Sequence, residues 1–494
     1  MWKQLVMGSC AVALVGCTAI PTPFTDSENA VTATELRQTM SSGQEPIEGS
    51  IDLYEAMARA LKYNLDHRVA MMEYDLAQRD YDLSKYDMLP QIVANGGYYG
   101  RNNEAGSSSL SLLSGRQSLE PSTSTDKSVF NADLTASWNI LDFGISKIRS
   151  EQLGDESLIY QERRRKAIIQ LMEDVHRAYW RAVSAQRLGQ RLQVLEADVQ
   201  KAFDASRTLY TGRRTAPMPA LSYQRELNDI TAQAQKMQRE LGMAKIEMAA
   251  LMNLPAGSHY SLKMPSRLVA PGRIVMPFEE MVDVALRNRP EVRESSYAIR
   301  IGEGEVRKAA LEALPGLQLY GGVNANSNDF LFNNDWIAYG AKASWNLMKI
   351  FETPTRKRRA KAKLELEKQR AMAAAMAVMT QVSISRARYD SLMKEYQTAD
   401  RGTMVQNDIL NQITAMSKAR SASNQTLVRE QMNAIISEAK RDAAHAELQE
   451  ASANIYTAMG YDPYAATITG QEDIKTLSES LRILWTARSK APAG

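Results

Sequence analysis

The chain has 494 residues, of which 44% are hydrophobic and 24% are charged. This balance excludes a polytopic helical membrane protein, which needs several apolar runs of about 20 residues, and a wholly disordered chain, which has few aliphatic residues. The 60 Lys and Arg residues nearly balance the 57 Asp and Glu residues, so we do not expect nucleic acid or another polyanion as a partner.

The amino terminus predicts export. Lys3 precedes the apolar stretch from Leu5 to Gly16, which at 12 residues is too short to span a bilayer. The segment Leu14-Val15-Gly16-Cys17 resembles the cleavage box of bacterial lipoproteins, in which the cysteine becomes the acylated first residue. We therefore expect residues 1–16 to be a signal peptide and Cys17 to be the lipid attachment site, carrying palmitate. An ordinary secretory signal with an incidental cysteine is the alternative.

Residues 17–49 would then form a lipidated linker. An aspartate after the cysteine would resemble an inner-membrane retention signal; Thr18 stands there instead and favours the outer membrane. The only other cysteine is Cys10, which lies in the signal peptide. The exported protein would therefore contain no disulfide, and its stability would come from packing.

The rest of the chain contains an internal repeat. Leu89-Pro90 matches Leu314-Pro315, and Ala60-Leu61-Lys62 matches Ala285-Leu286-Arg287, at an offset of 225 residues. Farther along, Ser137-Trp138-Asn139-Ile140 matches Ser344-Trp345-Asn346-Leu347 at an offset of 207. The first half therefore carries 18 extra residues, and the polar segment 103–127 is the candidate for them.

From these landmarks we divide the chain after residue 49 into four parts. They are a first repeat at 50–255, a linker at 256–275, a second repeat at 276–463 and a C-terminal tail at 464–494.

Each repeat predicts the order helix, strand, strand, helix. Residues 51–88 carry apolar side chains at helical spacing until Pro90 disfavours further helix. Segments that alternate apolar and polar residues follow at about 90–101 and 129–141, and at about 316–327 and 336–348 in the second repeat. The alternation is typical of a membrane barrel, and a soluble half-buried sheet shows it too. Export and strand length favour the barrel, with Trp138 and Trp345 as interface aromatics.

A very long helix follows each strand pair. Neither 144–211 nor 356–459 contains proline. Apolar residues recur in the first of these at the 4,3 spacing of a coiled-coil seam, with one extra step, at Leu171, Val175, Ala178, Ala182, Ala185, Leu188, Leu192, Leu195, Val199 and Ala202. A helix of about 65 residues is about 100 Å long. Tyr210–Pro217 predicts a tight reversal, after which 219–252 return antiparallel; the matching break near Met416–Ser423 lacks Gly and Pro.

Strand number limits the architecture. Four strands cannot close a transmembrane barrel, and an open sheet edge cannot lie in hydrocarbon, because its backbone groups would be unsatisfied. If the strands enter a membrane, several copies of the chain must share one barrel. The long helices would then extend from the barrel as a tunnel wall.

The order and duplication of these features resemble the TolC-like outer membrane efflux protein family. The resemblance covers about residues 50–463 and includes the two Leu-Pro strand entries, the segment Trp138–Gly144, the turn from Tyr210 to Gly212, and the repeat ends Ala250-Leu251-Met252-Asn253 and Ala458-Met459-Gly460. It implies a mainly α fold with a membrane β-barrel, in which four strands from each of three chains form a 12-stranded barrel above a long periplasmic α-helical barrel.

The same resemblance implies a function. It predicts a homotrimer in the outer membrane of a Gram-negative bacterium, anchored by lipid, that docks on a periplasmic membrane-fusion adaptor and an inner-membrane transporter. The chain would be the passive channel of a tripartite efflux system. The alternatives are the outer-membrane component of type I protein secretion and a lipid-anchored periplasmic coiled-coil scaffold.

The periplasmic tip departs from the family pattern. Family members often carry carboxylates just after the turn, whereas residues 216–222 contain no Asp or Glu. A carboxylate gate is therefore not transferred to this chain. The candidate tip or gate residues are Tyr210, Gly212, Arg213, Arg214, Lys418 and Arg420. The positive charges of Arg213, Arg214, Lys418 and Arg420 would pair across subunits or favour anionic cargo. Solvated helix ends are the alternative.

No pattern predicts an enzyme. We find no acid/base pair, nucleophile elbow or phosphate loop, and the four histidines lack metal-ligand spacing, so we expect no catalytic residue, metal or cofactor. The basic runs Arg163–Lys166 and Arg356–Arg359 are interpreted as solvated helix faces near the barrel rather than as a nucleic-acid site. The scattered methionines suit helix packing better than soft-metal binding.

Overall fold

The computed structural model describes residues 22–40, 42–118, 120–212, 216–255, 257–265, 267–272, 274, 276–419, 421–461 and 472–488. Its elements are α1 (Asp26–Met40), β1 (Ser50–Ile51), α2 (Leu53–Tyr63), α3 (Leu65–Ser84), β2 (Gln91–Gly100), β3 (Ser128–Asn139), α4 (Ile140–Thr211), α5 (Pro217–Leu251), β4 (Ser261–Leu262), α6 (Phe278–Asn288), α7 (Pro290–Leu311), β5 (Gly316–Asn326), β6 (Asp335–Ser344), α8 (Met348–Lys418), α9 (Asn424–Ala458) and α10 (Ile474–Arg488).

The predicted mainly α fold class is confirmed, with one four-stranded sheet beside the long helices. In the part of the chain that the structure describes, no helix has a stretch apolar and long enough to cross a membrane.

The sheet joins the two halves of the chain. Its order is β2-β3-β5-β6 and every neighbouring pair is antiparallel. The central pair, β3 and β5, brings one strand from each repeat together and aligns Trp138 with Leu319. β2 and β6 are the outer strands, and each has one edge without a strand partner in this sheet.

Two long helical hairpins extend from the sheet. α4 has 72 residues and α8 has 71, so each is about 107 Å long at a rise of 1.5 Å per residue. α5 packs antiparallel along α4, since Gln224 contacts Ser206 while Gln238 contacts Glu196 nearer the sheet. The predicted seam on α4 is confirmed from Leu171 to Val199, where all nine seam residues are buried.

Local sequence accounts for where the helices begin. Asn139 caps α4, because its side-chain oxygen accepts hydrogen bonds from the backbone N–H groups of Leu141 and Asp142. Pro217 starts α5, where a missing N–H costs nothing. Ser423 caps α9 by accepting from the backbone N–H of Thr426.

Smaller elements pack on the middle of the long helices. α2, α10 and the parallel pair β1 and β4 form an apolar cluster with α4, centred on Met57, Val175 and Leu477. α6 packs on α8 in the same way, through Met281 and Val382. Thus α10, from the C-terminal tail, is part of the core around the first repeat.

Candidate channel surfaces

The sheet has one apolar and one mainly polar face. Strand register places apolar side chains together on one face, where no element of the described chain covers them and they remain exposed: Ile92, Tyr98, Leu134, Val323, Ile337 and Tyr339. The opposite face carries Asn95, Asp133 and Lys342. There the Asn95 amide donates to the Asp133 carboxylate at 3.0 Å. Such a sheet suits an apolar medium on one side and water on the other.

Trp138 and Trp345 make equivalent contacts in the two repeats. The Trp138 indole Nε1 donates to the Met88 carbonyl at 3.3 Å, and the Trp345 Nε1 donates to the Ala313 carbonyl at 3.0 Å. Each acceptor immediately precedes a Leu-Pro strand entry. Each indole therefore fixes the start of one strand to the end of its partner. The membrane-interface role of both tryptophans stays a prediction.

The helical tip is described in part. Tyr210 is exposed in the last turn of α4, and Gly212 ends that helix by donating its N–H to the Thr208 carbonyl at 3.0 Å. Lys418 is the exposed last residue of α8. Arg213, Arg214 and Arg420 lie outside the described residues, as does Cys17. The gate role of all these tip residues and the lipid attachment at Cys17 stay predictions.

A carboxylate that the sequence reading missed connects the two hairpins near the tip. Glu226 of α5 accepts a hydrogen bond from the Gln425 amide of α9 at 3.0 Å and lies 3.6 Å from the Arg429 guanidinium. Glu226 lies beyond residues 216–222, the segment just after the turn in which family members carry carboxylates, so its position in the sequence did not mark it as a tip residue.

A row of ion pairs between buried carboxylates of α9 and partly exposed arginines of α4 joins the two repeats. Arg177 pairs with Glu450 at 3.5 Å, Arg187 with Asp442, and Arg191 with Glu438. These carboxylates are largely buried; the Asp442 side chain is 4% exposed. Buried charges persist only when paired, so the row fixes the register of the two helices. The charges recur at helical spacing on each helix, which indicates a charged stripe but does not identify the stripe that it meets.

The two basic runs have different environments. In the first run, Arg165 is 12% exposed, pairs with Glu162 and donates to the carbonyls of Asn288 and Gly460. The expectation of a solvated face is therefore wrong for Arg165, because it connects α4 to both ends of the second repeat. In the second run, Lys357, Arg358 and Arg359 are exposed.

Two of the three buried histidines in the described chain, His67 and His445, have a lowered pKa. Burial lowers the pKa of His67 and of His445, and each ring contacts a backbone carbonyl, of Leu61 and Val269 respectively. In the part of the chain that is described, no group of three His, Cys, Asp or Glu residues could hold a metal ion.

Comparisons with known proteins agree with this geometry. The family model for outer membrane efflux proteins matches residues 56–254. The cation efflux system protein CusC of Escherichia coli strain K12 is 26% identical over 373 residues, which are 70% of this chain and 72% of that protein.

Solved outer membrane channels share the fold. The Campylobacter jejuni CmeC channel superposes with a TM-score of 0.64 at 14% identity, over 94% of this chain and 98% of that one. The Neisseria gonorrhoeae MtrE channel superposes with a TM-score of 0.62 at 19% identity, over 84% of this chain and 91% of that one. These matches confirm the resemblance drawn from the sequence.

Proposed function

We propose that the chain, a TolC-like outer membrane efflux protein, is the channel-tunnel component of a tripartite efflux system and passively conducts substrates to the exterior. The family is one of channels rather than enzymes. In this role the chain receives substrates from a periplasmic adaptor and an inner-membrane transporter.

The sheet is the observation that carries this proposal. Its apolar face is uncovered, its opposite face is mainly polar, and both outer strands have a free edge. In a membrane such edges must be paired. Three copies bring 12 strands together, which is enough for a closed barrel with a polar lumen. The helical hairpins, about 107 Å long, then enclose a periplasmic tunnel.

The two faces of β5 provide a matched test. Val323 lies on the apolar face and its neighbour Asn324 on the polar face. An arginine facing lipid costs about 2–4 kcal/mol at the bilayer midplane, whereas one facing a lumen tunes selectivity. Val323→Arg should therefore reduce the amount of heat-modifiable trimer in outer-membrane fractions. Asn324→Arg should preserve the trimer and change its ion selectivity in planar bilayers.

Two outcomes would contradict the channel. One is a wild-type chain that remains a monomer and is released by washing without detergent. The other is equal loss of trimer in Val323→Arg and Asn324→Arg, because the two faces would then not differ in environment.

The membrane anchor is tested separately. We propose that residues 1–16 are removed and that Cys17 is acylated. Cys17→Ala should abolish incorporation of labelled palmitate, while conductance of the purified trimer remains. Incorporation that persists in Cys17→Ala would contradict the assignment of this residue.

A further inference from the structure

The helices nearest the sheet form a layer with two free edges. α4 packs against α3 on one side and against α7 on the other, and α7 packs against α8. α3 and α8 make no substantial contact with each other within the described chain. The layer order is therefore α3-α4-α7-α8, which parallels the strand order β2-β3-β5-β6.

Both free edges expose apolar side chains. On α3 these exposed side chains follow 4,3,4 spacing: Leu65, Val69, Met72 and Leu76. On α8, Leu364 contacts Gly302 of α7, while Leu366 and Met376 are exposed. An edge of this kind requires a partner in the assembled protein.

The internal repeat supplies a template for that partner. An offset of 225 residues relates α3 to α7, and an offset of 207 relates α4 to α8. The observed contact of α4 with α7 inside one chain therefore corresponds to a contact of α8 with α3 of another copy.

The template contact is held by polar pairs. The Arg307 guanidinium of α7 lies 3.1 Å from the Glu151 carboxylate of α4. One residue along α4, the Gln152 amide donates to the Glu305 carboxylate at 3.0 Å.

The positions equivalent to these two pairs, found by subtracting 225 from each α7 residue and adding 207 to each α4 residue, form two complementary ion pairs between copies. Arg307 and Glu151 correspond to Asp82 and Arg358, which reverses both charges. Glu305 and Gln152 correspond to Asp80 and Arg359.

Within one chain these four positions are largely unpartnered. In the described part of the chain, Asp80, Arg358 and Arg359 have no ion pair. Asp82 makes only an exposed pair with Lys85, whose side chain is 47% exposed.

A third template contact accounts for two exposed aromatic rings. A Cβ atom on Gly144 of α4 would lie 3.7 Å from the Leu311 side chain of α7. By the same offsets, Gly144 corresponds to Phe351 and Leu311 to Tyr86. These two rings are 76% and 68% exposed in the single chain.

We propose that the acidic edge of α3 packs antiparallel against the basic edge of α8 of a second copy, with Asp82 facing Arg358, Asp80 facing Arg359 and Tyr86 facing Phe351. The inference rests on the proposed function, because it names the helix contact that accompanies barrel closure. A contact between two different edges of identical chains is heterologous, and it generates a ring when the rotation between successive copies closes. The reversed charges also oppose a wrong pairing of α8 with the other edge of α7, the edge that contacts α4, because Arg358 would meet Arg307 there.

Site-directed cross-linking tests the register. The natural cysteines do not interfere, because Cys10 lies in the signal peptide and Cys17 is the proposed acylation site. Tyr86→Cys combined with Phe351→Cys should yield dimers and trimers with a short bismaleimide. The matched control replaces Phe351→Cys with Leu366→Cys, which lies 15 residues along α8, about 22 Å away. Equal cross-linking in both variants, or none in either while the wild type is trimeric and conducts, would overturn the register.

Charge reversal tests the pairing. Asp80→Lys/Asp82→Lys should lower the fraction of heat-resistant trimer about tenfold, since each exposed pair contributes modestly and a like-charge contact replaces it. Arg358→Glu/Arg359→Glu should do the same, and the combined variant should restore the trimer. A combined variant that is worse than either parent overturns the pairing.

The exposed basic run has anionic phospholipid as its other potential partner. If only the Arg358→Glu/Arg359→Glu variant loses trimer, and the loss disappears in vesicles of phosphatidylcholine alone, then lipid rather than a second copy contacts this edge. A wild type that neither forms trimers nor conducts contradicts the proposed function itself.

Discussion

Gly460→Ala tests the point where the second repeat ends. Gly460 follows α9 with φ +64°, in the left-handed region that favours glycine. Next to it, the Tyr461 N–H donates to the Tyr456 carbonyl at 3.0 Å, which completes the helix end. A Cβ at Gly460 would lie 2.7 Å from the carbonyl carbon of Asn288 and 2.8 Å from the amide nitrogen of Arg289. These are backbone atoms at the α6–α7 junction, so they cannot rotate away.

Two effects set the size of the change. The left-handed conformation costs alanine about 1–2 kcal/mol, and forcing an extra methyl into a packed site costs about 1–3 kcal/mol. Gly460→Ala should therefore destabilise the fold by about 2–5 kcal/mol. The shift of the junction also weakens the contacts of Arg165 with the carbonyls of Asn288 and Gly460, which are 2.7 and 2.8 Å long.

The first repeat provides the matched control. Asn253 occupies the corresponding position and also has a positive φ, of 55°, but its Cβ is already accommodated. Asn253→Ala should therefore cost only about 1–2 kcal/mol, from the conformation and from the lost exposed hydrogen bond to the Met40 carbonyl. The assay is loss of helical circular dichroism of the detergent-solubilised protein at a fixed heating rate. If Gly460→Ala melts no earlier than Asn253→Ala, the backbone clash is not the cause.

Three further changes have defined outcomes. Arg165→Met should destabilise the fold by about 3–5 kcal/mol in the same assay, because it leaves the buried Glu162 without its closest partner. The control Arg163→Met removes only an exposed ion pair and should cost under about 1 kcal/mol. Equal melting temperatures of the two variants would contradict this. Burial lowers the pKa of His445, so the unfolded chain binds a proton at a higher pH than the folded chain does, and the stability present above pH 6.5 is lost as the pH falls. His445→Gln should reduce this loss, measured as the difference in melting temperature between pH 7 and pH 5. The same difference in the variant and the wild type would exclude His445 as its source. Arg213→Ala/Arg214→Ala should weaken anion preference in reversal-potential measurements, and unchanged selectivity with unchanged conductance would remove both residues from the gate.

Local periodicity is what the sequence predicts well. The seam from Leu171 to Val199 follows from helical spacing alone, because each residue's face is set by its position in the same helix. The two faces of the sheet follow from alternation with a period of two in the same way. The pair Leu89-Pro90 and Leu314-Pro315 also indicated where strands begin, since proline stops a helix.

Contacts between distant helices were not predicted, because they depend on how each helix is rotated. Arg187 and Asp442 are 255 residues apart in the chain, and only the packing of α4 against α9 brings them together. Arg165 looked solvated within its basic run for the same reason. Its neighbours are carbonyls of Asn288 and Gly460, and sequence patterns carry no information about which backbone groups remain available as acceptors.

The two repeats keep backbone geometry and differ in charge, and this difference has a physical logic. Asn253 and Gly460 share a left-handed backbone, and Trp138 and Trp345 share a carbonyl contact. These features fix the ends of helices and strands, which both repeats need. Charge instead determines which edge of the helix layer packs against the free edge of α8. If both repeats carried the same charges, the free edge of α8 could pack equally well on α3 of a neighbour or on the edge of α7 that contacts α4. Opposite charges leave one favourable arrangement, so a duplicated chain can close into a ring of defined order.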